Sequence, residues 1–168
     1  MLHQSKCNDI VGSYITNSSG FGIELYNGSD ENALTLNSIE NDNGGICIVS
    51  SEHNSVSKNV ISNNSQLGIL LCMNSDHNSI VANNITKNGW AGIRLKGATT
   101  APDWNTLTGN DIQDNGVGIC LEQFYGPSVI GTVIKENNIA NNEYGMAVIL
   151  QVSDAQIFHN NFVNNVYQ

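Results

Sequence analysis

Apolar residues recur along this chain in two phrases. In G-I-x-L, two aliphatic side chains stand two residues apart. In N-x-I-x-x-N-x-I they stand five apart, each two residues after an asparagine. The longer phrase begins at Asn8, Asn32, Asn54, Asn78 and Asn105, and in degenerate form at Thr132 and Ala155, so its interval varies little. The shorter phrase recurs at Gly22-Ile23, Gly45-Ile46, Gly68-Ile69, Gly92-Ile93, Gly118-Ile119 and Gly145-Met146. A two-residue spacing is the period of an extended strand and sets both side chains on one face.

Aligned on this repeat, the chain carries four apolar columns. The first is Ile10, Leu34, Val56, Ile80, Leu107, Ile134 and Ile157. The second is Ile15, Ile39, Ile61, Ile85, Ile112, Ile139 and Phe162. The third is Ile23, Ile46, Ile69, Ile93, Ile119 and Met146, and the fourth is Leu25, Ile48, Leu71, Leu95, Leu121 and Val148. No segment carries a helical stripe of useful length. Each repeat reads as three short strands joined by tight corners. One such turn cannot bury its apolar residues, whereas stacked turns can, through parallel ladders about 4.8 Å apart. The sequence therefore predicts an all-β solenoid of about seven turns, roughly 30 Å long at that spacing.

Composition accounts for the corners. The chain has 27 Asn and 16 Gly, residues that tolerate left-handed backbone and disfavour strand interiors. Asn59, Asn83, Asn110, Asn137 and Asn160 fall at one corner of successive turns, where left-handed or bridge backbone is expected of them. Stacked Asn amides can also bond to the turns above and below, so their abundance is read as structural. The net charge is −9 and the six basic residues are scattered, which argues against a nucleic-acid partner. No apolar run approaches the length of a membrane span, and MLHQSKCNDI lacks the apolar core of a secretory signal. Cys7, Cys47, Cys72 and Cys120 show no zinc or CxxC spacing.

Leucine-rich repeats have similar periods but need L-x-x-L-x-L-x-x-N, an order this chain does not supply. Left-handed hexapeptide helices need shorter turns than these. The phrases N-x-I-x-x-N-x-I and G-I-x-L instead resemble the right-handed parallel β-helix repeat over roughly Asn8 to Val166. That repeat occurs in the pectate-lyase-like superfamily, in carbohydrate-binding and sugar-hydrolase repeat domains, and in NosD-type periplasmic proteins. The resemblance implies a single right-handed parallel β-helix with turns of about 22–27 residues, and an extracellular or cell-envelope location. It carries no particular reaction, since the same repeat serves lyases, glycosidases, epimerases and non-enzymes. Solenoids need polar caps. Few residues precede Asn8 and the chain stops mid-turn after Asn165, so a piece of a longer protein, or an oligomer that covers its ends, is expected.

Candidate chemistry follows from position. The stretch from each fourth-column residue to the next first-column residue keeps nearly one length in every turn but two, so all insertion lies in Lys96 to Asn105 and Glu122 to Thr132. Insertions on one face of a solenoid often mark its binding face. These two loops hold Pro102, Asp103, Trp104, Phe124, Tyr125 and Pro127. By alternation, the outward columns of the G-I-x-L sheet are Glu24, Cys47, Leu70, Arg94, Cys120, Ala147 and Tyr26, Val49, Cys72, Lys96, Glu122, Ile149. Resemblance implies that such a face lines a substrate groove. Arg94 and Lys96 could bind uronate carboxylates, with Glu122 one turn along and Trp104 or Tyr125 stacking on a sugar. The bland alternative is a surface ion pair of Lys96 with Glu122. Val49, Leu70, Cys72, Ala147 and Ile149 would form an exposed apolar patch, a feature of self-association.

A second constellation precedes the first-column Asn. Asp30, Glu52, Asp76 and Asp103 stack as an acidic ladder, with His53 beside His77. Calcium suits oxygen ligands and imidazole suits transition metals, but Asp before Asn is ordinary turn chemistry, so no cofactor is expected. No triad, GxGxxG or Walker loop is present. The expected function is a polysaccharide-binding or polysaccharide-processing module (lyase-, epimerase- or hydrolase-like) without an identified catalytic set. Its site is placed at Arg94, Lys96, Glu122, Trp104, Tyr125 and Asp103. The alternative is a non-catalytic scaffold that self-associates into a homo-oligomer through the apolar face or its ends. A copper-delivery accessory role ranks below both, because metal-directed His or Met clusters are absent.

Overall fold

A computed structural model describes residues 1–123 and 125–168. Among the described residues there is no helix; the chain coils through three seven-stranded parallel sheets and one two-stranded sheet. The G-I-x-L phrases form a long-strand sheet whose members include Phe21–Tyr26, Gly44–Val49, Leu67–Cys72, Ala91–Gly97, Val117–Gln123 and Tyr144–Ile149. Three-residue strands such as Ser79–Val81 and Asn84–Thr86 build two short-strand sheets, one on each apolar residue of the Asn phrase. Each strand pairs with its counterpart one turn away, as a right-handed parallel coil requires.

The apolar columns stack in the expected register. Ile15, Ile39, Ile61, Ile85, Ile112, Ile139 and Phe162 are successive pairing partners. Leu34, Val56, Ile80, Leu107 and Ile134 are fully buried, as are Ile46, Ile69, Ile93 and Ile119. The core is these four columns and little else. Each buried Leu or Ile contributes about 2 kcal/mol by removal from water.

Asparagine locks the turns together at three corners. Asn83 is 1 % exposed, and its whole amide is satisfied. Its Oδ1 accepts from the Asn59 backbone N–H and Nδ2, both at 3.0 Å. Its Nδ2 donates to Asn110 Oδ1 at 3.0 Å and to the Val56 carbonyl at 2.9 Å. The same pattern runs along Asn8, Asn32, Asn54, Asn78 and Asn105, and along Asn64, Asn88, Asn115, Asn142 and Asn165. The third of these ladders was not foreseen, because the spacing from its Asn to the following Gly is not constant.

One expectation about the corners is corrected. The ladder Asn residues are not the left-handed ones; the residue just before each of them is. Lys58, Ala82 and Glu136, with φ of 56, 53 and 57°, precede Asn59, Asn83 and Asn137. The left-handed residue turns the chain so that the next side chain points into the stack and can bond to its neighbours there. Glycine in G-I-x-L answers a different demand. A Cβ on Gly68 would lie 2.5 Å from the Gly92 carbonyl oxygen and 2.7 Å from Ile85 Cγ2, so only a bare backbone fits beside the ladder.

Where a ladder residue is replaced, buried polar atoms lose partners. Asp42 stands at the head of the third ladder, 3 % exposed. Its Oδ1 accepts from Ser18 N–H at 2.6 Å, but its Oδ2 has no partner. Thr132 interrupts the first ladder, leaving Asn105 Nδ2 and Thr132 Oγ1 unpaired. A buried unpaired polar atom costs about 1–3 kcal/mol. Asp42→Asn places a donor where an amide Nδ2 belongs, facing the oxygen of Asn64. It should stabilise the fold by about 1 kcal/mol and raise Tm by about 2–4 °C in thermal unfolding. An unchanged or lowered Tm would show that the ladder is indifferent to this amide.

Candidate functional site

The outward face of the long-strand sheet is assembled by register. Glu24, Cys47, Leu70, Arg94, Cys120 and Ala147 are consecutive partners, as are Tyr26, Val49, Cys72, Lys96, Glu122 and Ile149. The expected apolar patch is not continuous. Val49 and Cys47 are buried, Leu70, Cys72 and Ala147 are half-buried, and Ile149 alone of that set is exposed. Neighbours one turn apart stand close enough to shield each other.

At the centre of the face Arg94 bonds through Nη2 to Glu122 Oε1, one turn along and diagonally placed. The guanidinium also lies 4.1 Å from the centre of the Trp90 ring. Glu122 was expected at the surface with Lys96. It is instead 2 % exposed and paired with Arg94, while Lys96 makes no ion pair among the described residues. The reach of the arginine side chain explains the difference: it spans the diagonal and still covers the indole. Cys120, beside Glu122, has its thiol pushed up to about 11 by burial and by that carboxylate.

The two longer loops close over this end of the face. Gln123, fully buried, donates from Nε2 to the Ala98 carbonyl at 3.0 Å and to the Tyr125 carbonyl, tying one loop to the other. Ala101 and Val129 are buried beneath them, and Val129–Ile130 pairs with Val152–Ser153. Sequence reasoning missed Gln123 and Trp90. Nothing in the sequence marks Gln123, and Trp90 lies four residues before Arg94, about 13 Å along an extended strand, with no signal to prefer it over Trp104.

The remaining expected site residues are dispersed. Trp104 is left-handed, 55 % exposed, and belongs to the corner column of His53 and His77; its ring lies over the bare backbone of Gly131. Tyr125 is exposed, and Phe124 lies outside the described residues. Asp103 Oδ1 accepts from the Ile130 N–H at 2.9 Å, and burial pushes its carboxyl above the ordinary carboxylate range. Asp76 accepts from the Asp103 N–H and Asp30 from the Glu52 N–H, each at 2.8 Å. These aspartates thus bond the backbone of the following turn, rather than their own. A groove of about 530 Å³ opens at another corner, lined by Asn17, Ser19, Asn43, Asn63 and Ser65; it contains no cationic side chain.

Coiled turns of three strands, locked by Asn ladders and carrying a charged cluster on one sheet, define a right-handed parallel β-helix protein. The chain belongs to the family described as "Periplasmic copper-binding protein (NosD)", whose match covers residues 2–168. No curated protein sequence matches it. Among solved structures it is similar to the periplasmic alginate epimerase AlgG, with a TM-score of 0.86 and 19% identity over 95% of this chain and 41% of that one. It is also similar to the A-modules of two Azotobacter vinelandii mannuronan C-5 epimerases. AlgE6 gives a TM-score of 0.80 and 17% identity over 92% of this chain and 41% of that one. AlgE4 gives 0.75 and 15% identity over 98% and 56%. The chain therefore spans about half the length of these structures or less.

The family description raises the fit of copper to the residues present. No group of three or more His, Cys, Asp or Glu converges among the described residues. Two pairs of suitable donors exist. His53 and His77 stack at 5.0 Å with ring planes 6° apart, an arrangement in which their nitrogens do not converge. Cys47 and Cys72 are free thiols, diagonal neighbours on adjacent strands of the outward face. Thiolate sulfur is the softer donor and the one suited to Cu(I); neither pair has a third such donor converging with it among the described residues.

Removing one partner of a buried ion pair is costly because the other charge is left alone. Arg94→Ala should therefore lower folding stability by about 3–5 kcal/mol, and Glu122→Leu in the same chain should recover most of the loss. Denaturant unfolding of the four chains of this cycle measures the coupling; additive losses would place the pair outside the stability balance.

Proposed function

We propose that this chain is a cell-envelope polysaccharide-binding module that holds a polyuronate across the outward face of its long-strand sheet. Lys96 is the accessible cation for a carboxylate, and Arg94 supports it. Trp90, 38 % exposed, offers an aromatic ring for a sugar face. The observation that carries the reading is the concentration of charge: two of the six basic residues stand two apart on one strand, against an exposed indole. Arg94 already bonds Glu122, so a carboxylate would meet Lys96 first and the free edge of the guanidinium second. The fold-level likeness to proteins named as alginate and mannuronan epimerases supports the substrate class, and the family description supports the periplasm. The reading stops at binding. Association through the face has less support, since its apolar patch is interrupted.

Affinity electrophoresis through gels containing alginate or dextran tests this. Wild type should be retarded by alginate alone, less so at higher salt. Lys96→Ala and Trp90→Ala should each weaken retardation by about tenfold, roughly 1.4 kcal/mol. Both variants spare the Arg94–Glu122 pair, so unfolding does not confound them. No retardation of wild type sinks the reading, and retardation that survives both substitutions moves the site elsewhere.

A further inference from the structure

We propose that Asn17 and Asn63 are attachment sites for N-linked saccharide, at the corner of the coil that leads into the third asparagine ladder. The chain holds four Asn-x-Ser/Thr triplets, at Asn17, Asn27, Asn63 and Asn84. The triplet pairs an acceptor amide with a hydroxyl two residues on, and marks surface chain in exported proteins. Among 27 Asn, some such triplets arise from composition alone. Structure separates them. None of the ladder asparagines belongs to a triplet; in the first two ladders a core apolar residue holds the place two residues on, as Ile85 does after Asn83. All four triplet asparagines are exposed.

The hydroxyl decides between the four, because a transferase must reach amide and hydroxyl together. After Asn27 the hydroxyl is Ser29, which is fully buried. Its Oγ donates to the Tyr26 carbonyl at 3.0 Å and accepts from the Ser5 N–H at 3.3 Å. Asn84 and Thr86 lie within one strand, paired on both sides with Val60–Ser62 and Asp111–Gln113, and Thr86 is half-buried. Asn17 and Asn63 lie outside the strands, at left-handed corners with φ of 62 and 56°. Their hydroxyls, Ser19 and Ser65, are exposed with them. The Asn63 amide makes one long bond, to Ser62 Oγ at 3.4 Å, and Ser65 Oγ bonds Asn43 Oδ1 at the surface. Asn41 stands between the two in the same column, exposed and left-handed at 59°, but Asn43 holds the hydroxyl's place. The corner thus contains its own control.

Asn17 and Asn63 are two turns apart, about 10 Å along the coil. Both line the polar groove of about 530 Å³, with Ser19, Asn43 and Ser65, so the first sugar units meet amides and hydroxyls there. The co-substrate is a lipid-linked oligosaccharide with a phosphate leaving group at C1 of its first sugar. The Nδ2–C1 bond forms, the C1–O bond to phosphate breaks, one amide proton leaves, and no electron is transferred. The inference rests on the cell-envelope location that the family description supports, and not on polyuronate binding by Lys96 and Trp90.

Peptide mass spectrometry of the chain recovered from the envelope of the cells that produce it tests the sites, with fragmentation that leaves the side-chain linkage intact. Asn17 and Asn63 should carry saccharide mass, and Asn27, Asn41 and Asn84 should be bare. Ser19→Ala should remove the sugar from Asn17 alone and Ser65→Ala from Asn63 alone, while Ser19→Thr keeps it. Asn43→Ser completes a triplet at Asn41 and should add sugar there. Circular dichroism of each variant reports whether it folds, separating loss of the sugar from loss of structure. Bare Asn17 and Asn63 in wild type would overturn the proposal. So would sugar on Asn27 or Asn84 as readily as on Asn17, since the fold would then not be choosing. Alginate retardation of Lys96→Ala and Trp90→Ala is read on a different quantity, so either reading can fail while the other stands.

Discussion

The fold depends on a hydrogen bond made between identical groups: the amide of one asparagine clasping the amide of the next, one turn away. An asparagine has an acceptor and two donors at the tip of a short side chain. In the ladder through Asn83 all of these are used between the turn before and the turn after. The bonds are local to a corner, but what they set is global. Each clasp fixes where one turn sits upon the next, and so decides which residues of successive repeats become neighbours. Buried apolar columns supply most of the stabilisation, while the amides supply the register. Their sensitivity shows where a rung departs from asparagine: Asp42 and the Asn105–Thr132 step each leave buried polar atoms unpaired.

Register in turn writes the chemistry of the outer face. Side chains there are brought together by stacking alone. Cys47, Cys72, the pair Arg94 and Lys96, and the pair Cys120 and Glu122 are each about a turn of the coil apart in the sequence, yet they form one patch on four successive strands. The groups there influence one another: burial, and then the Glu122 carboxylate, raises the Cys120 thiol. The two long loops bound this patch, because Gln123 ties them together at its edge. Glu122 is buried there against Arg94, while Lys96 stays partly exposed.

Much of this was legible beforehand for one reason. A repeat states the same local preference many times, so period, strand positions and all four core columns could be read from Ile15, Ile39, Ile61 and their counterparts. Outward columns followed by simple alternation, which is why Arg94, Lys96 and Glu122 were placed on one face. The corners were less legible. Asparagine was credited with left-handed backbone that Lys58, Ala82 and Glu136 adopt instead, because its own task is to point inward. The reason for glycine in G-I-x-L lay wholly in the turn above it.

Sequence by itself determined the coil: apolar residues at strand spacing, repeated at a near-constant period, can be buried together only by stacking. Tertiary structure alone decided how the outer side chains are used. It paired Arg94 with Glu122 across a diagonal rather than Lys96 with Glu122 along a column, and set Trp90 rather than Trp104 against the guanidinium. It also made neighbours of Cys47 and Cys72, which a whole turn of the coil separates along the chain. Periodicity names the column a residue occupies. The length of its side chain, and the loops folded over it, settle which neighbour it touches.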